Sequence, residues 1–467
     1  MDGAVAALDF GATSGRVVVG RVSPERVEIE EFGRFPNTPV QLGETLHWDV
    51  LSLWRGALDG LEAAAREVPG LGSVAASTWG VDYGLLRGGR LLSNPVHYRD
   101  GRTAAGFARV HERIPEAELY ARTGIQLLPI NTIYQFAADA EMLAIADTAL
   151  LIPDLISCWL SGELVAERTI ASTTALLDAR TGQWDPELLA LAGVDRKILP
   201  EIVEPGTVLG PLSSDLVQRT GVRRAMRVVA GSHDTASAVA AAPITGAGAV
   251  FVSCGTWGLV GMEQDAPVLT EEARLAGFTN ECGIDGRWLF MRNAMGLWML
   301  SEAVRQAEAD GERIDLGELL TAASRVPGPV PVVDVDDPVF ASQGDVAGRI
   351  VRWCEEHGLR APQGLPELAR CIVESLAQSF ADAAREAARM TETPLRQINV
   401  VGGGSQNGLL CRLLAERSGA PVFAGPVEAT SLGAVLVQAR AMGYVDGSVD
   451  DLRALVRRTF HPVTYTS

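Results

Sequence analysis

The sequence predicts an α/β protein built from two related domains. The first observation is its length, because 467 residues exceed what one hydrophobic core usually supports. The second is a β-hairpin with glycine and hydroxyl residues in its turn, which opens each half of the chain. The third is the alternation of apolar strands with helical patterns. We expect one domain over residues 1–243 and the other over residues 244–467.

The first hairpin joins apolar strands at residues 5–8 and 16–22 through a turn at 11–15. Glycines let backbone N–H groups approach an anion closely, and hydroxyls add donors, so such a turn can hold phosphate. Asp9 ends the first strand, where its carboxylate would hold a divalent ion that reaches phosphate through water. An ordinary surface hairpin has the same pattern and stays open as the alternative.

The following elements continue the α/β pattern. Asp49 is a plausible N-cap for a helix that runs to residue 67 with apolar residues at helical spacing. Residues 74–79 form a buried strand that ends in a polar and aromatic cluster. In this cluster Trp79 is either an apolar wall for a small polyol-like ligand or a core residue, and Asp82 is a hydroxyl acceptor.

A loop at residues 97–103 concentrates ionisable groups, among them Arg99 and Asp100. It either binds hydroxyls bidentately or is a solvated turn, and the amides and hydroxyls at residues 124–132 favour binding. Residues 133–222 have mostly helical patterns with irregular connections. They contain no cluster of side chains that indicates a chemistry.

The segment 228–238 carries the main functional interpretation. A β-branched run ends at Gly231, a polar cluster follows, and small residues from Ala236 onward begin a helix. A carboxylate between a strand and a helix lies at the carboxyl edge of a sheet, where open α/β folds bind ligands. Asp234 is therefore a candidate catalytic base. The alternative is that Asp234 only caps the helix.

The second half repeats the hairpin, with strands at residues 249–253 and 258–262 around a turn at 254–257. Two such hairpins suggest related domains that hold phosphates between them. Residues 293–298 lead into a helix that reaches residue 309. Residues 366–390 predict a long amphipathic core helix. Residues 327–345, rich in Pro, Val and Asp, look like an insertion or a flap.

Three successive glycines at 402–404 separate a strand over residues 395–401 from a helix over 409–417. A backbone without Cβ atoms allows a flat ring or a phosphate to lie against it. The sequence has neither a dinucleotide-binding fingerprint nor a Walker loop, which disfavours those two nucleotide-binding classes. The polar residues Ser405, Gln406 and Asn407 would bind a nucleotide or cap the helix.

Composition limits the partners. The net charge of −18, from 58 acidic and 40 basic residues, disfavours nucleic acid and anionic membrane surfaces. Six cysteines without a C-x-x-C pair or a His at metal-ligand spacing indicate a reduced compartment. The sequence begins without the pattern of a signal peptide and has no apolar run of about 20 residues, so we expect a cytoplasmic protein.

Seven motifs, in order, resemble those of the FGGY carbohydrate kinases over nearly the whole length. These motifs lie at residues 9–16, 77–82, 98–100, 231–235, 253–257, 293–298 and 401–407. The resemblance implies an actin-like fold of two ribonuclease-H-like domains, with ATP and Mg²⁺ in the cleft between them and the sugar mainly against the first. It implies Asp234 as the base, with Asp9 and Asp234 facing the metal largely through water.

The resemblance also extends the set of site residues. Those expected to contact the sugar are Trp79, Gly80, Asp82, Arg99, Asp100, His233, Asp234, Thr235 and Asn293. Those expected to contact ATP are Ala12, Thr13, Ser14, Gly15, Arg16, Thr256, Ser301, Gly403, Gly404 and Asn407. Ser301 stands where related kinases tend to carry a Gln, a difference that concerns nucleotide affinity more than chemistry.

The resemblance favours a ketose as the substrate. The leading expectation is ATP-dependent phosphorylation of L-rhamnulose at its primary 1-hydroxyl, a step of L-rhamnose catabolism, by a monomer or homodimer. L-fuculose, L-xylulose and D-xylulose are alternatives, because hydrogen-bond placement decides between such sugars. A non-catalytic nucleotide-binding or sugar-binding sensor on the same fold is a more distant alternative, for which loss of Asp9 or Asp234 would be the sign.

Overall fold

A computed structural model describes residues 2–223, 225–340 and 344–466 of the chain. Its contacts divide the chain into two compact units. Unit 1 holds the described residues of Met1–Ala241, Glu263–Phe290 and Ala429–Thr459. Unit 2 holds those of Ala242–Met262, Met291–Glu428 and Phe460–Ser467.

The strands and helices alternate along the chain as the sequence predicts. The strands are β1 (Gly3–Phe10), β2 (Ser14–Val22), β3 (Val27–Pro36), β4 (Val40–Leu42), β5 (Thr45–His47), β6 (Leu71–Thr78), β7 (Tyr83–Arg87), β8 (Arg90–Leu91), β9 (Thr148–Leu151), β10 (Ala166–Glu167), β11 (Leu177–Asp178), β12 (Gln183–Trp184), β13 (Ile202–Val203), β14 (Val208–Pro211), β15 (Arg227–Val229), β16 (Ser232–His233), β17 (Ala249–Cys254), β18 (Trp257–Gln264), β19 (Phe278–Cys282), β20 (Trp288–Met295), β21 (Gln397–Val401), β22 (Val422–Ala424) and β23 (Val463–Tyr465). The helices are α1 (Val50–Glu67), α2 (Thr103–His111), α3 (Glu116–Thr123), α4 (Thr132–Ala138), α5 (Ala140–Ile145), α6 (Ile152–Ser161), α7 (Arg168–Ser172), α8 (Pro186–Ala192), α9 (Ser214–Thr220), α10 (Asp234–Ala241), α11 (Glu271–Leu275), α12 (Trp298–Ala309), α13 (Leu316–Arg325), α14 (Val346–Glu356), α15 (Gly364–Met390), α16 (Gly408–Ser418), α17 (Ala429–Ala441) and α18 (Val449–Phe460).

The main sheets share one strand plan. In unit 1 the order is β14-β15-β6-β1-β2-β3, with β16 also on β6. There β1, β2 and β3 are antiparallel neighbours, while β6 and β15 run parallel to β1. The other main sheet includes the order β20-β18-β17-β21-β22, in which β17 and β18 are antiparallel and β21 and β22 run parallel to β17. Both predicted hairpins are therefore confirmed, as corresponding parts of the two sheets.

Local sequence patterns also predict helices α1 and α15 correctly. Asp49 caps α1, because its Oδ1 accepts a hydrogen bond of 3.0 Å from the amide of Ser52. One face of α1, including Leu53 and Leu61, is buried in a cluster with β1, β2 and β6. The predicted apolar stripe of α15 is likewise buried.

The contact-based units differ from the predicted single boundary after residue 243, because two later segments belong to unit 1. In the later of them, α17 lies against α10 and β1. A Cβ atom on Gly433 would lie 1.8 Å from the carbonyl oxygen of Ser237, so only glycine permits this approach. The amide of Gln438 donates a 3.0 Å hydrogen bond to the carbonyl of Ala6. Helix α17, from the last part of the chain, therefore packs in the core formed by the first part.

Residues 327–345, predicted to be an insertion or a flap, pack on the core where they are described. Val333, Val335 and Phe340 are buried, and the amide of Val333 donates to the hydroxyl of Ser375 on α15 at 2.9 Å. The segment is therefore anchored on the core of unit 2, although residues 341–343 lie outside the described part. Within the described residues, no helix combines the length and apolar character required to cross a bilayer.

Candidate active site

Strand register brings three of the predicted motifs together in unit 1. Asp9 on β1 is level with Ser77 on β6, and Ser77 is level with Ser232 on β16. All three strands are parallel here, so they end at the same edge of the sheet. Asp234 follows directly as the first residue of α10. The predicted base therefore lies at the carboxyl edge of a sheet, where such folds bind ligands.

His233 lies between two carboxylates. Its Nε2 is 3.2 Å from Asp234 Oδ1, and its Nδ1 is 3.0 Å from Glu281 Oε2 on β19. Burial alone would lower the pKa of His233, but the negative charges of Glu281, Asp234 and Glu167 outweigh it and raise the pKa to about 9. The imidazole is therefore a cation at neutral pH. Glu281 was not predicted from the sequence, because it lies in the polar run of β19, where Thr279 and Asn280 precede it.

Asp234 has the environment of a base. Burial raises the pKa of its carboxyl, the charge on His233 lowers it, and the carboxylate of Asp9 raises it again. About 30 % of the Asp234 side chain is exposed, so it can meet a substrate. The hydroxyl of Thr235 donates a 3.3 Å hydrogen bond to its Oδ1. A raised pKa brings a carboxylate closer to the range in which it accepts protons efficiently.

Asp9 is buried and anchored at one of its oxygens. Its Oδ2 accepts hydrogen bonds from Arg16 Nε at 3.0 Å and from Ser431 Oγ on α17 at 2.5 Å. Arg16, which the resemblance assigns to ATP, thus contacts Asp9 in this structure. Among the residues described, no group of three or more His, Cys, Asp or Glu side chains is placed to hold a metal. The carboxylates of Asp9 and Asp234 repel each other, which is compatible with a divalent ion that binds near them largely through water and phosphate oxygens.

The structure gives Asp82 a role different from the predicted one. Its side chain is 1 % exposed, and both oxygens already accept from protein donors. Oδ2 accepts from the indole N–H of Trp48 at 2.6 Å and of Trp79 at 2.9 Å, while Oδ1 accepts from Gln135 at 2.9 Å. Asp82 therefore holds a cluster of side chains instead of presenting a free acceptor to a sugar. Trp48 and Gln135 were not predicted, because both are remote from Asp82 in sequence.

Asp100 also differs from the prediction, since it fixes the loop backbone. Its Oδ2 accepts from the amide of Leu46 at 2.8 Å, and its Oδ1 from the amide of Arg102 at 3.0 Å. His97 in the same loop stacks on Trp48 with ring centroids 3.9 Å apart. Burial, followed by the charge of Arg99, lowers the pKa of His97 to about 4, so it is neutral. Arg99 itself is exposed, with its guanidinium 5.6 Å from the ring of Tyr98.

Two buried carboxyl groups, those of Asp154 and Glu167, lie close together in unit 1. The backbone amide of Glu167 donates to Asp154 Oδ1 at 3.1 Å. Asp154 Oδ2 and Glu167 Oε1 are buried and have no hydrogen-bond partner among the residues that the structure describes. Burial raises the pKa of Asp154 well above its ordinary range and that of Glu167 to about 7. This pair lies in the stretch 133–222, where the sequence indicated no chemistry.

Glu167→Gln is expected to change how stability depends on pH. The pKa of Glu167 rises from 4.5 to about 7 on folding, so the folded state binds this proton more tightly. Its contribution to stability is fully present below pH 4.5 and is lost as the pH rises to about 7. The stabilisation lost is on the order of 3 kcal/mol. The Gln side chain does not titrate. The free energy of unfolding, measured with urea, should therefore be higher for the variant relative to the wild type at pH 8 than at pH 4.5. The same difference at both pH values would contradict the raised pKa.

In unit 2 three predicted motifs meet at the turn between β17 and β18. The amide of Leu297 donates to the carbonyl of Gly255 at 2.9 Å, which places the start of α12, with the exposed Ser301, beside this turn. A Cβ on Gly296 would lie 2.5 Å from the carbonyl oxygen of Thr256. Asn293 lies on β20 in the same unit. The turn that contains Thr256 is therefore the point at which these motifs converge.

The glycine run lies against the same turn. A Cβ on Gly404 would lie 2.4 Å from Cys254 Sγ, whereas a Cβ on Gly403 would meet nothing within 4 Å. Gly403 thus has open space above it, as a ring or phosphate needs. Asn407 caps α16, because its Oδ1 accepts from the amide of Leu410 at 3.1 Å, and it is 4 % exposed. For Asn407 the capping alternative is the role that the structure shows.

Gly402→Ala is expected to destabilise unit 2, whereas Gly403→Ala is not. Gly402 has a φ of 79°, and its Cβ would lie 2.9 Å from the carbonyl oxygen of Cys254. Both the backbone conformation and this contact oppose a side chain, at a cost of about 1–3 kcal/mol. Thermal denaturation should show a lower Tm for Gly402→Ala and an unchanged Tm for the matched neighbour. Equal melting temperatures for the two variants would refute the assigned geometry.

Comparison with known protein families decides the relationship. The model of the FGGY carbohydrate kinase N-terminal domain matches residues 4–241, and that of the C-terminal domain matches residues 250–442. The chain belongs to the FGGY family of carbohydrate kinases. The predicted family is therefore confirmed, and members of this family use ATP and typically a divalent metal ion.

Curated relatives of this FGGY kinase match over nearly their whole lengths. The chain is 36 % identical over 466 residues to a protein of Bacteroides thetaiotaomicron named Rhamnulokinase, covering 98 % of this chain and 95 % of the relative. A Rhamnulokinase of Yersinia pestis is 37 % identical over 461 residues, covering 97 % and 93 %. One from Pectobacterium atrosepticum is 37 % identical over 464 residues, covering 98 % and 91 %.

Solved structures confirm the predicted fold of the FGGY kinase. A ligand-bound xylulose kinase from Lactobacillus acidophilus superposes with a TM-score of 0.80 at 18 % identity, covering 99 % of this chain and 93 % of the other. Glycerol kinase from Plasmodium falciparum with ADP gives a TM-score of 0.81 at 15 % identity, covering 100 % and 94 %. At such identities the likeness establishes only the two-domain, actin-like α/β fold.

Proposed function

We propose that this chain is an ATP-dependent kinase that phosphorylates L-rhamnulose at its primary 1-hydroxyl, in L-rhamnose catabolism. The observation that carries this proposal is the full-length similarity of 36–37 % to relatives named Rhamnulokinase. The site in unit 1 supports it, because Asp234 is a partly exposed carboxylate at the edge of a sheet. A kinase for an alcohol acceptor needs such a proton acceptor.

Asp234 is the proposed base. It orients the 1-hydroxyl of the ketose, whose oxygen forms a bond to the γ-phosphorus of ATP as the bond to the β,γ-bridging oxygen breaks and ADP leaves. The hydroxyl proton passes to Asp234 late in this transfer. The cationic His233, 3.2 Å away, opposes the effect of burial and helps to keep Asp234 ionised before the reaction. Glu281 on the other side of the imidazole favours the charged ring.

The ketose is proposed to bind mainly to residues 1–243. His233 and Thr235 flank the base in sequence, and Gly80 follows the end of β6, where Thr78 is level with His233. A Cβ on Gly80 would approach Thr173 to 3.1 Å. Other proposed sugar contacts are Trp79, Arg99 and Asn293. Asp82 and Asp100 are proposed to act indirectly, by positioning neighbouring groups. The oxygens of Asp82 hold the indole rings, and those of Asp100 hold the loop backbone.

ATP is proposed to contact two sets of residues. The first set lies on the β1–β2 hairpin and comprises Ala12, Thr13, Ser14, Gly15 and Arg16. The second lies in residues 244–467 and comprises Thr256, Ser301, Gly403 and Gly404, which the β17–β18 turn brings together. Mg²⁺ near Asp9 and Asp234 would supply positive charge for the phosphates when bound. Ser301 offers a shorter donor than the Gln of related kinases, so we expect weaker ATP affinity than with Gln.

An ADP-release assay with ATP, Mg²⁺ and a panel of ketoses tests the proposal. L-rhamnulose should give the highest kcat/KM among L-rhamnulose, L-fuculose, L-xylulose and D-xylulose. ³¹P NMR of the product should show phosphate coupled to the two protons of C1. A much higher kcat/KM with another ketose would overturn the substrate but not the kinase activity. No turnover with any of the four would overturn the kinase proposal for ketoses.

A further inference from the structure

A short buried segment from β10 through α7 connects three parts of the site. Three of its hydroxyls, those of Thr169, Ser172 and Thr173, accept hydrogen bonds from backbone amides of other segments. All three residues are at most 5 % exposed. We name this set the hydroxyl hub. It lies in the part of the chain for which the sequence suggested no function.

Thr169 holds the backbone that leads into the base. Its Oγ1 accepts from the amide of His233 at 3.0 Å and donates to Glu167 Oε2 at 2.6 Å. Glu167 in turn caps α7 by accepting from the amide of Ile170 at 3.0 Å. The peptide plane before His233 is thereby fixed, and it sets the direction in which Asp234 enters α10. Glu167 fixes the hydroxyl, so the hydroxyl does not rotate freely.

Ser172 and Thr173 hold two further backbone segments of the site, one at the end of β19 and one between β6 and β7. Ser172 Oγ accepts from the amide of Cys282 at 2.9 Å, next to Glu281. Thr173 Oγ1 accepts from the amide of Val81 at 3.1 Å, next to Gly80. Each of the two hydroxyls also donates to a carbonyl within the segment, Ser172 to Thr169 and Thr173 to Ile170. All three hydroxyls are therefore fixed as acceptors for the site.

The backbone at Val81 shows why such support is needed. Val81 has a φ of 67°, which a β-branched residue adopts only under constraint. Its amide is held by Thr173, and its carbonyl accepts from Thr132 Oγ1 at 2.6 Å. Strained conformations persist when hydrogen bonds on both sides over-determine them, and they occur preferentially at functional sites.

We propose that Thr169, Ser172 and Thr173 are positioning residues for the kinase reaction. They act by fixing the backbone beside Asp234, Glu281 and Gly80, and the inference rests on the function proposed above. A displacement of about 1 Å in a reacting group can reduce turnover about a hundredfold. The hydroxyl hub therefore influences kcat without touching the substrate.

The decisive comparison is Thr169→Val against Thr169→Ser. Valine keeps the volume but removes the acceptor for His233, whereas serine keeps the hydroxyl. We expect kcat to fall about 10- to 100-fold in the Val variant and to stay within about threefold of wild type in the Ser variant. The KM for ATP should change little in both, because the hydroxyl of Thr169 bonds to His233 and Glu167, neither of which is a proposed ATP residue.

Thr174→Val is the matched control for loss of a buried hydroxyl. Thr174 is 1 % exposed. Among the residues described, its hydroxyl bonds within its own segment: it donates to the carbonyl of Ala171 at 2.6 Å and accepts from the amide of Leu176 at 3.2 Å. We expect a lowered Tm with kcat within about threefold of wild type. If Thr169→Val and Thr174→Val have the same kcat, the positioning role is refuted.

Hydrogen–deuterium exchange gives a readout that does not depend on activity. Peptides that cover residues 231–236 should exchange faster in Thr169→Val than in wild type, and at the wild-type rate in Thr174→Val. Unchanged exchange in Thr169→Val overturns the inference. If wild type turns over no ketose, the proposed function fails, while the exchange result still decides whether the hydroxyl hub holds this segment. If Thr169→Val does not fold, Thr173→Val against Thr173→Ser applies the same test to peptides that cover Val81.

Discussion

Asp234→Asn is expected to lower kcat about 100- to 10,000-fold, because the amide cannot accept the proton of the ketose hydroxyl. Asn keeps the size of the side chain, and it removes a carboxylate whose pKa burial already raises. Folding should therefore be unaffected. Steady-state ADP release at saturating ATP and ketose measures kcat, and calorimetry without ATP should show that the ketose still binds.

Asp154→Asn is the matched control for this experiment. It makes the same change at a fully buried carboxyl in the same unit, and the Asn oxygen can still accept from the amide of Glu167. We expect its kcat to stay within a few-fold of wild type, since Asp154 has no proposed contact with either substrate. Turnover by Asp234→Asn at the level of this control would show that Asp234 is not the base.

Asp82→Ala is expected to reduce the free energy of unfolding by about 3–5 kcal/mol. The indole N–H groups of Trp48 and Trp79 would lose their acceptor inside the protein, and the amide of Gln135 would lose one of its acceptors. Buried donors without acceptors are costly, and the missing carboxylate also leaves a cavity. Urea unfolding followed by tryptophan fluorescence measures this change, since both indoles report on the site.

Asp82→Asn separates the structural role from a direct sugar contact. Its side-chain oxygen can still accept from the two indoles, so we expect a loss of only about 1 kcal/mol. If Asp82→Ala instead unfolds like wild type while the KM for the ketose rises steeply, Asp82 would be the free sugar acceptor that the sequence first suggested.

Much of the fold follows from local patterns in the sequence. The two hairpins, the cap at Asp49 and the stripe of α15 depend on residues close in sequence, so they could be predicted. The position of Asp234 followed from a strand that ends at a polar cluster before a helix. The return of residues 429–459 to unit 1 could not be predicted, because it depends on contacts such as that of Gly433 with Ser237, which are remote in sequence.

The same distinction applies to the site. Asp82 and Asp100 were recognised as important, but their partners Trp48, Gln135 and Leu46 lie 34 to 54 residues away, so their roles as anchors were not visible. Glu281 and Thr169 were not predicted as site residues, because each is remote in sequence from its partner His233 and contacts it only in the folded chain. Sequence patterns indicated which side chains carry charge. Tertiary contacts determine which of these side chains are already hydrogen-bonded within the protein and which remain available to a substrate.

The alignment of Asp9, Ser77 and Ser232 across three parallel strands has an evolutionary consequence. Backbone hydrogen bonds set this alignment, so it is independent of the length of the loops between the strands. The chain leaves the sheet after β6 and returns only at β14, and the long segment between them includes much of the proposed sugar-binding region. Insertions and deletions there can alter which sugar is accepted while Asp9 and the proposed base Asp234 keep their relative positions. A change of substrate therefore does not require the reaction centre to be rebuilt.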